Sequence, residues 1–497
     1  MSDARSDGKA TPVDPGAAPA PSAESALIPD PETMRRLGYR AVDLIVDRWA
    51  RLPEDRPWSG ATREELAAIL DGPPPATPQD PEALMLRAVE QVFPYTARLD
   101  HPRSFAFVPS SPAWSSVLAD ILVSGHNVFQ GTWLASGGPS QVEATVLEWF
   151  RVWLGMPEVA GGVLTSGGSA ANLLAVVTAR EVAGWPDAPV VYLSDQGHNS
   201  LSRAARVAGI RPEGIRVLPT DEGLRLRPEV VQRALREDRE AGRTPILLCA
   251  NGGATNTGTV DPLGELAGLC RAEGLRLHVD AAYGGFAALT PEGAGELGGL
   301  GEADSITLDP HKWLFQTFEC GCLLVRDPSE LEAAFGSRAE YLQDTDVTGA
   351  EINFGNRGVQ LSRSFRALKV WLSVQAVGTD ALGEAVRAGI LLAKQAEGRI
   401  RDSAELELLH PRGLSVVCYR YRPEGSWSEA ALEELNVAIQ SHLMEGGHAM
   451  VSSTRLRGRY ALRLCIMNHR SGWEDVEAVL SRVEAQGRRL AAGGPGR

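Results

Sequence analysis

The sequence predicts an α/β protein. It would have a large domain on a seven-stranded, mostly parallel sheet, a helical segment before it and a small α+β domain after it. Three observations carry that expectation. Seven short apolar or β-branched runs alternate with helical stretches between Gly161 and Asp327, and strands that alternate with helices form parallel sheets covered on both faces. Helical spacing dominates before them, and helices with a few alternating runs follow Ala385. The 497 residues also exceed what one core ordinarily organises.

Residues 1–28 are rich in Ala, Pro, Ser and Asp and lack the apolar residues of a core, so a disordered tail is expected. Residues 29–113 should be helical. "DPETMRRLGYRAVDLIVDRWARL" opens with Asp30 as a cap and Pro31 at the first helical position. Leu37, Val42, Leu44, Ile45 and Trp49 then recur near helical spacing. "DGPPPATPQDP" reads as a linker, with a second amphipathic helix to about Val92. Residues 114–385 form the expected large domain, with the runs "GGVLT", "PVVYLSD", "GIRVLP", "PILLCA", "LRLHVD", "DSITLD" and "GCLLVRD". Residues 386–490, with "LSVVCYRY" and "RYALRLCIM", form the small domain. There are no internal repeats.

Composition narrows the function. With 43% hydrophobic and 23% charged residues the chain is of ordinary globular type. A formal net charge of -14 disfavours nucleic acid and anionic membranes as partners. No apolar run approaches the roughly 20 residues of a membrane span, and the N-terminus has no secretory h-region. The six cysteines follow neither a disulfide framework nor a zinc pattern. They are expected to be reduced, in the cytoplasm.

In open parallel sheets ligands bind beyond the carboxyl ends of the strands, and the chemistry-bearing residues stand there. "VLTSGGSAANLLAVVTAR" is strand, glycine turn and helix. Gly168 lets backbone approach a ligand, Ser169 offers a hydroxyl, and the helix N-terminus suits a phosphate. The spacing is neither that of a dinucleotide fingerprint nor that of a P-loop. A lone histidine is usually structural, but His198 follows a strand in "YLSDQGHNSLSRAA", in the expected site region, where a functional role is as ready a reading. Asp280 ends "LRLHVD", where it could face a cation or simply cap a helix. Lys312, in "SITLDPHKWLF", precedes Trp313, Leu314 and Phe315. Such a lysine is ordinarily just exposed. With a pKa lowered by its surroundings it would be a nucleophile towards a carbonyl. A phosphate cradle, an acid for a ring nitrogen, an imidazole for a ring face and a lysine for an aldehyde together describe pyridoxal phosphate.

With these residues in place, the chain resembles the pyridoxal-phosphate-dependent group II amino-acid decarboxylases, above all the aromatic-L-amino-acid decarboxylases, from about Pro31 to Arg482. The resemblance rests on "HPRSFAFVPSS", "LTSGGSAANL", "SDQGHNS", "HVDAAYGG", "DPHKW", "LSRSFRALKVW" and "LRLCI", in that order. It implies the aspartate-aminotransferase-like (type I) fold and a homodimer, formed in part by the N-terminal helices, with active sites at its interface. By motif, Lys312 would bond the cofactor's aldehyde and Asp280 would partner the ring nitrogen. His198 would stack on one ring face with Ala282 on the other. Gly168, Ser169, Asp309 and His311 would lie on the phosphate side, and Asn251 near the stacked histidine. Tyr341, in "AEYLQDT", would be the proton donor, on a loop expected to be mobile. Phe107, Pro109, Phe129 and Ser362 would line the substrate pocket. Asp309 and Asn251 replace the Asn and Thr of animal members, and Gly131 replaces an aromatic residue of some.

The implied reaction is decarboxylation of an L-amino acid to its amine. The substrate would be aromatic, because no extra cation stands in "FAFVPSS", and Ser362 tilts the choice towards phenylalanine, tyrosine or dopa over tryptophan. An aminotransferase would normally recruit an arginine for the substrate carboxylate. An aldehyde-forming oxidative enzyme usually changes the loop tyrosine or the stacked histidine, and both are intact here. A scaffold without activity would have no use for the whole set.

Overall fold

A computed structural model describes residues 27–108, 111–336 and 351–492. Most of the expected tail, Pro109 and the loop carrying Tyr341 lie outside these residues. Internal contacts divide the chain into two units, the first comprising residues up to 55 and 61–96. That unit is helical. Asp30 caps helix Pro31–Arg51 by accepting from the N–H groups of Glu32 and Thr33 at 2.9 and 3.0 Å. An unexpected short helix, Arg63–Leu70, precedes the proline-rich linker. It is set by a capping box in which Thr62 and Glu65 satisfy each other's backbone donors. Helix Pro81–Gln91 follows the linker, and Glu82 pairs with Arg36 of the first helix.

The second unit holds both sheets. The seven runs become β1 (Gly161–Thr165), β2 (Pro189–Ser194), β3 (Ile215–Leu218), β4 (Thr244–Asn251), β5 (Arg276–Asp280), β6 (Ser305–Leu308) and β7 (Gly321–Val325), in the order β1-β7-β6-β5-β4-β2-β3. β7 is antiparallel to both its neighbours, and the other pairs are parallel. Because β7 runs backwards, its first residue lies at the edge where the other strands end. Gly321 is therefore paired with Thr165. A Cβ on Gly321 would fall 2.3 Å from the Cα of Gly167, so only glycine lets β7 close against the turn after β1.

β2, β6 and β7 are buried throughout, as runs without polar alternation require, whereas the edge strand β3 leaves Val217 exposed. Helices Gly168–Val182, Pro228–Glu240 and Leu263–Glu273 pack against the sheet. The small domain is a four-stranded antiparallel sheet, β8 (Leu406–Gly413), β9 (Val416–Tyr421), β10 (Ser452–Leu456) and β11 (Arg459–Cys465), in the order β10-β11-β9-β8. Helices Glu429–Glu445 and Trp473–Ala491 cover it. The β/α alternation has thus produced the α/β class expected. All six cysteines are free and buried. Among the described residues no helix is long and apolar enough to cross a membrane.

Candidate active site

The parallel strands deliver their last residues to one place. Register pairs Asn251 at the end of β4 with Asp280 at the end of β5, and Asp280 with Thr307 on β6. Beyond this row lies a cavity of about 500 Å³, whose wall includes Gly168, Ser169, His198, Asn251, Asp280, Ala282, Asp309, His311 and Lys312. Every described residue expected to hold a cofactor is therefore in one wall.

Helix Gly168–Val182 starts at this wall, and no side chain caps it. Its leading N–H groups and the positive end of its dipole are left for an anion. Gly167 has φ 151°, a conformation only glycine takes easily. A Cβ on Gly168 would lie 3.0 Å from Asp309 Oδ2 and 3.1 Å from the Ala282 methyl, so the turn leaves little spare space. His311 accepts the Cys320 N–H on Nδ1 at 3.1 Å. Its proton is thereby placed on Nε2, 3.7 Å from Asp309. Burial lowers the pKa of His311, partly opposed by Asp309.

Lys312 sits on a single helical turn, Pro310–Trp313. The turn is fixed by Trp313, which is fully buried and stacked on Tyr283 with ring centres 5.1 Å apart. The Lys312 ammonium lies 2.9 Å from Asp309 Oδ2. Burial pushes the amine towards its neutral form, but the Asp309 carboxylate outweighs this and the pKa is raised. That corrects the lowered value expected from the apolar neighbours, because the one-turn helix aims a carboxylate three residues back at Nζ. The ion pair stabilises the fold fully below the ordinary lysine pKa of about 10.4, and the effect fades as pH rises through the raised value.

Asp280 accepts from Asn172 Nδ2 at 2.9 Å and from the Ala282 N–H at 3.2 Å. His198, like Ser169, is exposed. Its Nδ1 accepts from the Ser200 N–H at 3.3 Å and bonds Ser200 Oγ at 2.7 Å, which leaves the ring proton on Nε2. Desolvation lowers its pKa against the pull of Asp280. Asn251 donates its backbone N–H (2.7 Å) and its side-chain amide (3.1 Å) to Asp261. Burial pushes that carboxyl up to about 6.

Of the expected substrate-pocket residues, the described Phe107, Phe129 and Ser362 are not in this wall. Phe107 is 63% exposed and held at φ 56°, its N–H on Ser452 Oγ at 3.1 Å and its carbonyl on Arg463. Phe129 and Ser362 are exposed on facing segments, joined where the Gln130 N–H donates to the Arg363 carbonyl at 2.9 Å. The buried Arg363–Glu143 pair at 2.6 Å pins that junction. Gly131 has no room for the aromatic ring of other members, since even a Cβ would come within 2.5 Å of the Leu361 carbonyl. Reading single residues overlooked Asn172, Ser200, Tyr283 and Thr255, which also line the cavity. Asn172, Ser200 and Tyr283 lie inside the quoted motifs, and that was their only signal.

The pattern of the pyridoxal-dependent decarboxylase conserved domain matches residues 65–422. The chain belongs to this family. The decarboxylase is 40% identical over 458 residues to the aromatic-L-amino-acid decarboxylase of Bacillus atrophaeus, covering 91% of this chain and 95% of that protein. It is 32% identical over 459 residues to the phenylacetaldehyde synthase of Petunia hybrida, covering 88% and 90%. Among solved structures, Oryza sativa TDC with PLP and tryptamine superposes with a TM-score of 0.89 at 28% identity, covering 93% of this chain and 99% of that one. The decarboxylase is thus a pyridoxal-phosphate-dependent carboxy-lyase with the fold of its family. Its cavity suits that cofactor on its own terms, with an uncapped helix start, a glycine turn, a lysine amine and a buried Asp309 whose Oδ1 has no hydrogen-bond partner.

Proposed function

We propose that the decarboxylase removes CO2 from an aromatic L-amino acid and releases the amine, with phenylalanine, tyrosine or dopa preferred to tryptophan. The observation that carries this reading is the make-up of the cavity wall. Among its described residues Lys312 is the only lysine or arginine, while Phe318 adds an apolar ring beside His311. A second substrate carboxylate would find no fixed cation there, whereas an aromatic side chain needs none. Relatives named for aromatic substrates support the same choice.

Pyridoxal phosphate, when bound, supplies the sink for the electrons of the breaking bond to CO2. Lys312 holds its aldehyde end. The N–H groups of Gly168 and Ser169, with His311 Nε2–H, hold its phosphate. Asp280 keeps a proton on the ring nitrogen, and Ala282 offers a small apolar wall. Asn251, anchored on Asp261, lines the same cavity as His198, whose Nε2–H is available for proton transfer at the substrate's Cα. Tyr341 is the second donor to that carbon, assigned from its motif alone. Exposed Leu118, Ile121 and Leu122 on one helix, with Leu134 nearby in sequence, support a homodimer, and six free buried cysteines support a cytoplasmic location.

The test measures amine, CO2 and peroxide release across the amino acids with the cofactor-loaded protein. Aromatic substrates should dominate, and turnover of glutamate alone would overturn the proposal. An aldehyde-forming reaction is the second reading, favoured by the likeness to phenylacetaldehyde synthase. The presence of His198 and Tyr341 supports amine formation instead. Tyr341→Phe is expected to take up pyridoxal phosphate normally and still release CO2, but to yield less amine and more aldehyde, ammonia and peroxide. An unchanged amine-to-aldehyde ratio at unchanged rate would assign the proton to His198.

A further inference from the structure

Asn172 takes no part in the roles above, yet it is 1% exposed and every hydrogen-bonding position of its amide is filled. Nδ2 donates to Asp280 Oδ2 and to Ser200 Oγ, both at 2.9 Å. Oδ1 accepts from the Thr307 hydroxyl at 2.7 Å and from His278 Nε2 at 3.0 Å. Only one orientation of the amide is possible, because the Asp280 carboxylate can only accept and must meet the NH2 end. His278 is fully buried, and burial holds its pKa down at about 4, so the ring is neutral with one proton to place. Asn172 Oδ1 can only accept, so the proton sits on Nε2, and Nδ1 is left to accept from the Ser305 hydroxyl at 2.8 Å. On the other side, Ser200 receives the amide hydrogen and turns its own proton to His198 Nδ1 at 2.7 Å.

We propose that Asn172 is a positioning residue that joins Asp280 and His198 into one hydrogen-bonded unit, its amide aimed by His278 and Thr307. The proposal rests on the roles given to Asp280 and His198 above. It follows that the carboxylate that serves the ring nitrogen and the imidazole that serves the substrate are set by one side chain. A change at Asn172 disturbs both. Besides this unit, His198 feels Lys312, Asp309 and Arg203. Those groups stay in place in the variants below and provide a constant background.

The experiment uses the full chain loaded with pyridoxal phosphate and follows the visible cofactor spectrum and kcat against pH. Asn172→Ala should retain the cofactor, lose about tenfold in kcat with little change in KM, and shift the midpoint of the spectral titration. Combined with Asp280→Asn it should cost no more than Asp280→Asn alone, because the two act as a unit. Thr307→Val keeps the shape but removes a donor to Oδ1, and should shift the midpoint the same way by less. It decides the matter if Asn172→Ala does not fold. An unmoved midpoint with additive losses overturns the proposal. A wild-type protein that takes up no pyridoxal phosphate overturns the reading of the site and the proposal with it. A wild type that does, beside an Asn172→Ala with identical spectrum and pH profile, overturns the proposal alone.

Discussion

Lys312→Ala is expected to abolish turnover, by about 10³-fold or more, the scale on which single members of a catalytic set act. The chain has four lysines, Lys9, Lys312, Lys369 and Lys394, which makes the expectation sharp. Lys369 is buried and committed elsewhere, 2.9 Å from Asp120 and bonded to the Thr317 carbonyl at 3.3 Å. Lys394 is exposed on helix Thr379–Arg401 and absent from the cavity wall. Lys9 lies outside the described residues. Among the described residues only Lys312 brings an amine to the cavity that holds the uncapped helix start and Asp280. Borohydride reduction of the loaded wild type, followed by peptide mapping, should therefore place the pyridoxyl label on Lys312. A label on Lys369 or Lys394 would sink the assignment. The substitution also leaves the buried Asp309 without its nearest cation, so a stability loss of about 1–3 kcal/mol should accompany it. Thermal denaturation separates that loss from the chemical one.

Asp280→Asn should come second in size, retaining some cofactor while losing about 10²-fold or more in kcat. The amide nearly matches the carboxylate in shape, but it has one oxygen where Asp280 uses two, Oδ2 for Asn172 and Oδ1 for the Ala282 N–H, so one of these two bonds is lost as well. What it cannot supply is the negative charge that keeps a proton on the cofactor's ring nitrogen. Cofactor affinity and kcat should therefore part company, and a spectral titration should show the ring nitrogen losing its proton at lower pH. Activity within threefold of the wild type would mean that Asp280 serves the fold alone.

Most of the large sheet was legible in the sequence because a strand buried on both faces must be written as an unbroken apolar run. The residues that follow such runs are exposed to one question only, what lies beyond the strand end. Asp280, His198, Lys312 and the glycine turn could accordingly be picked out one by one. Helix Arg63–Leu70 was not legible, since eight residues show little periodicity and its start depends on the local Thr62–Glu65 exchange. Asn172 and His278 escaped for a different reason. Each sits inside a helix or strand where a polar residue looks incidental, and Asn172 is more than 100 residues along the chain from Asp280, His278 and Thr307. The sign of the Lys312 shift was misjudged because apolar neighbours are visible in sequence, whereas the direction of the Asp309 side chain is set by the one-turn helix.

The Asp309–Lys312 contact also bears on the hazards that a newly made chain meets before it acquires its cofactor. Amines in cells are modified by cyanate and by reducing sugars, and both react with the neutral amine rather than with the ammonium ion. By holding Lys312 protonated, Asp309 shelters the one lysine among the described residues of the cavity wall from carbamylation and glycation, whereas Lys394 is exposed on the surface. Mass spectrometry of cofactor-stripped protein after brief cyanate treatment should find the adduct on Lys394 well before Lys312, and the reverse order would show that the carboxylate gives no such protection.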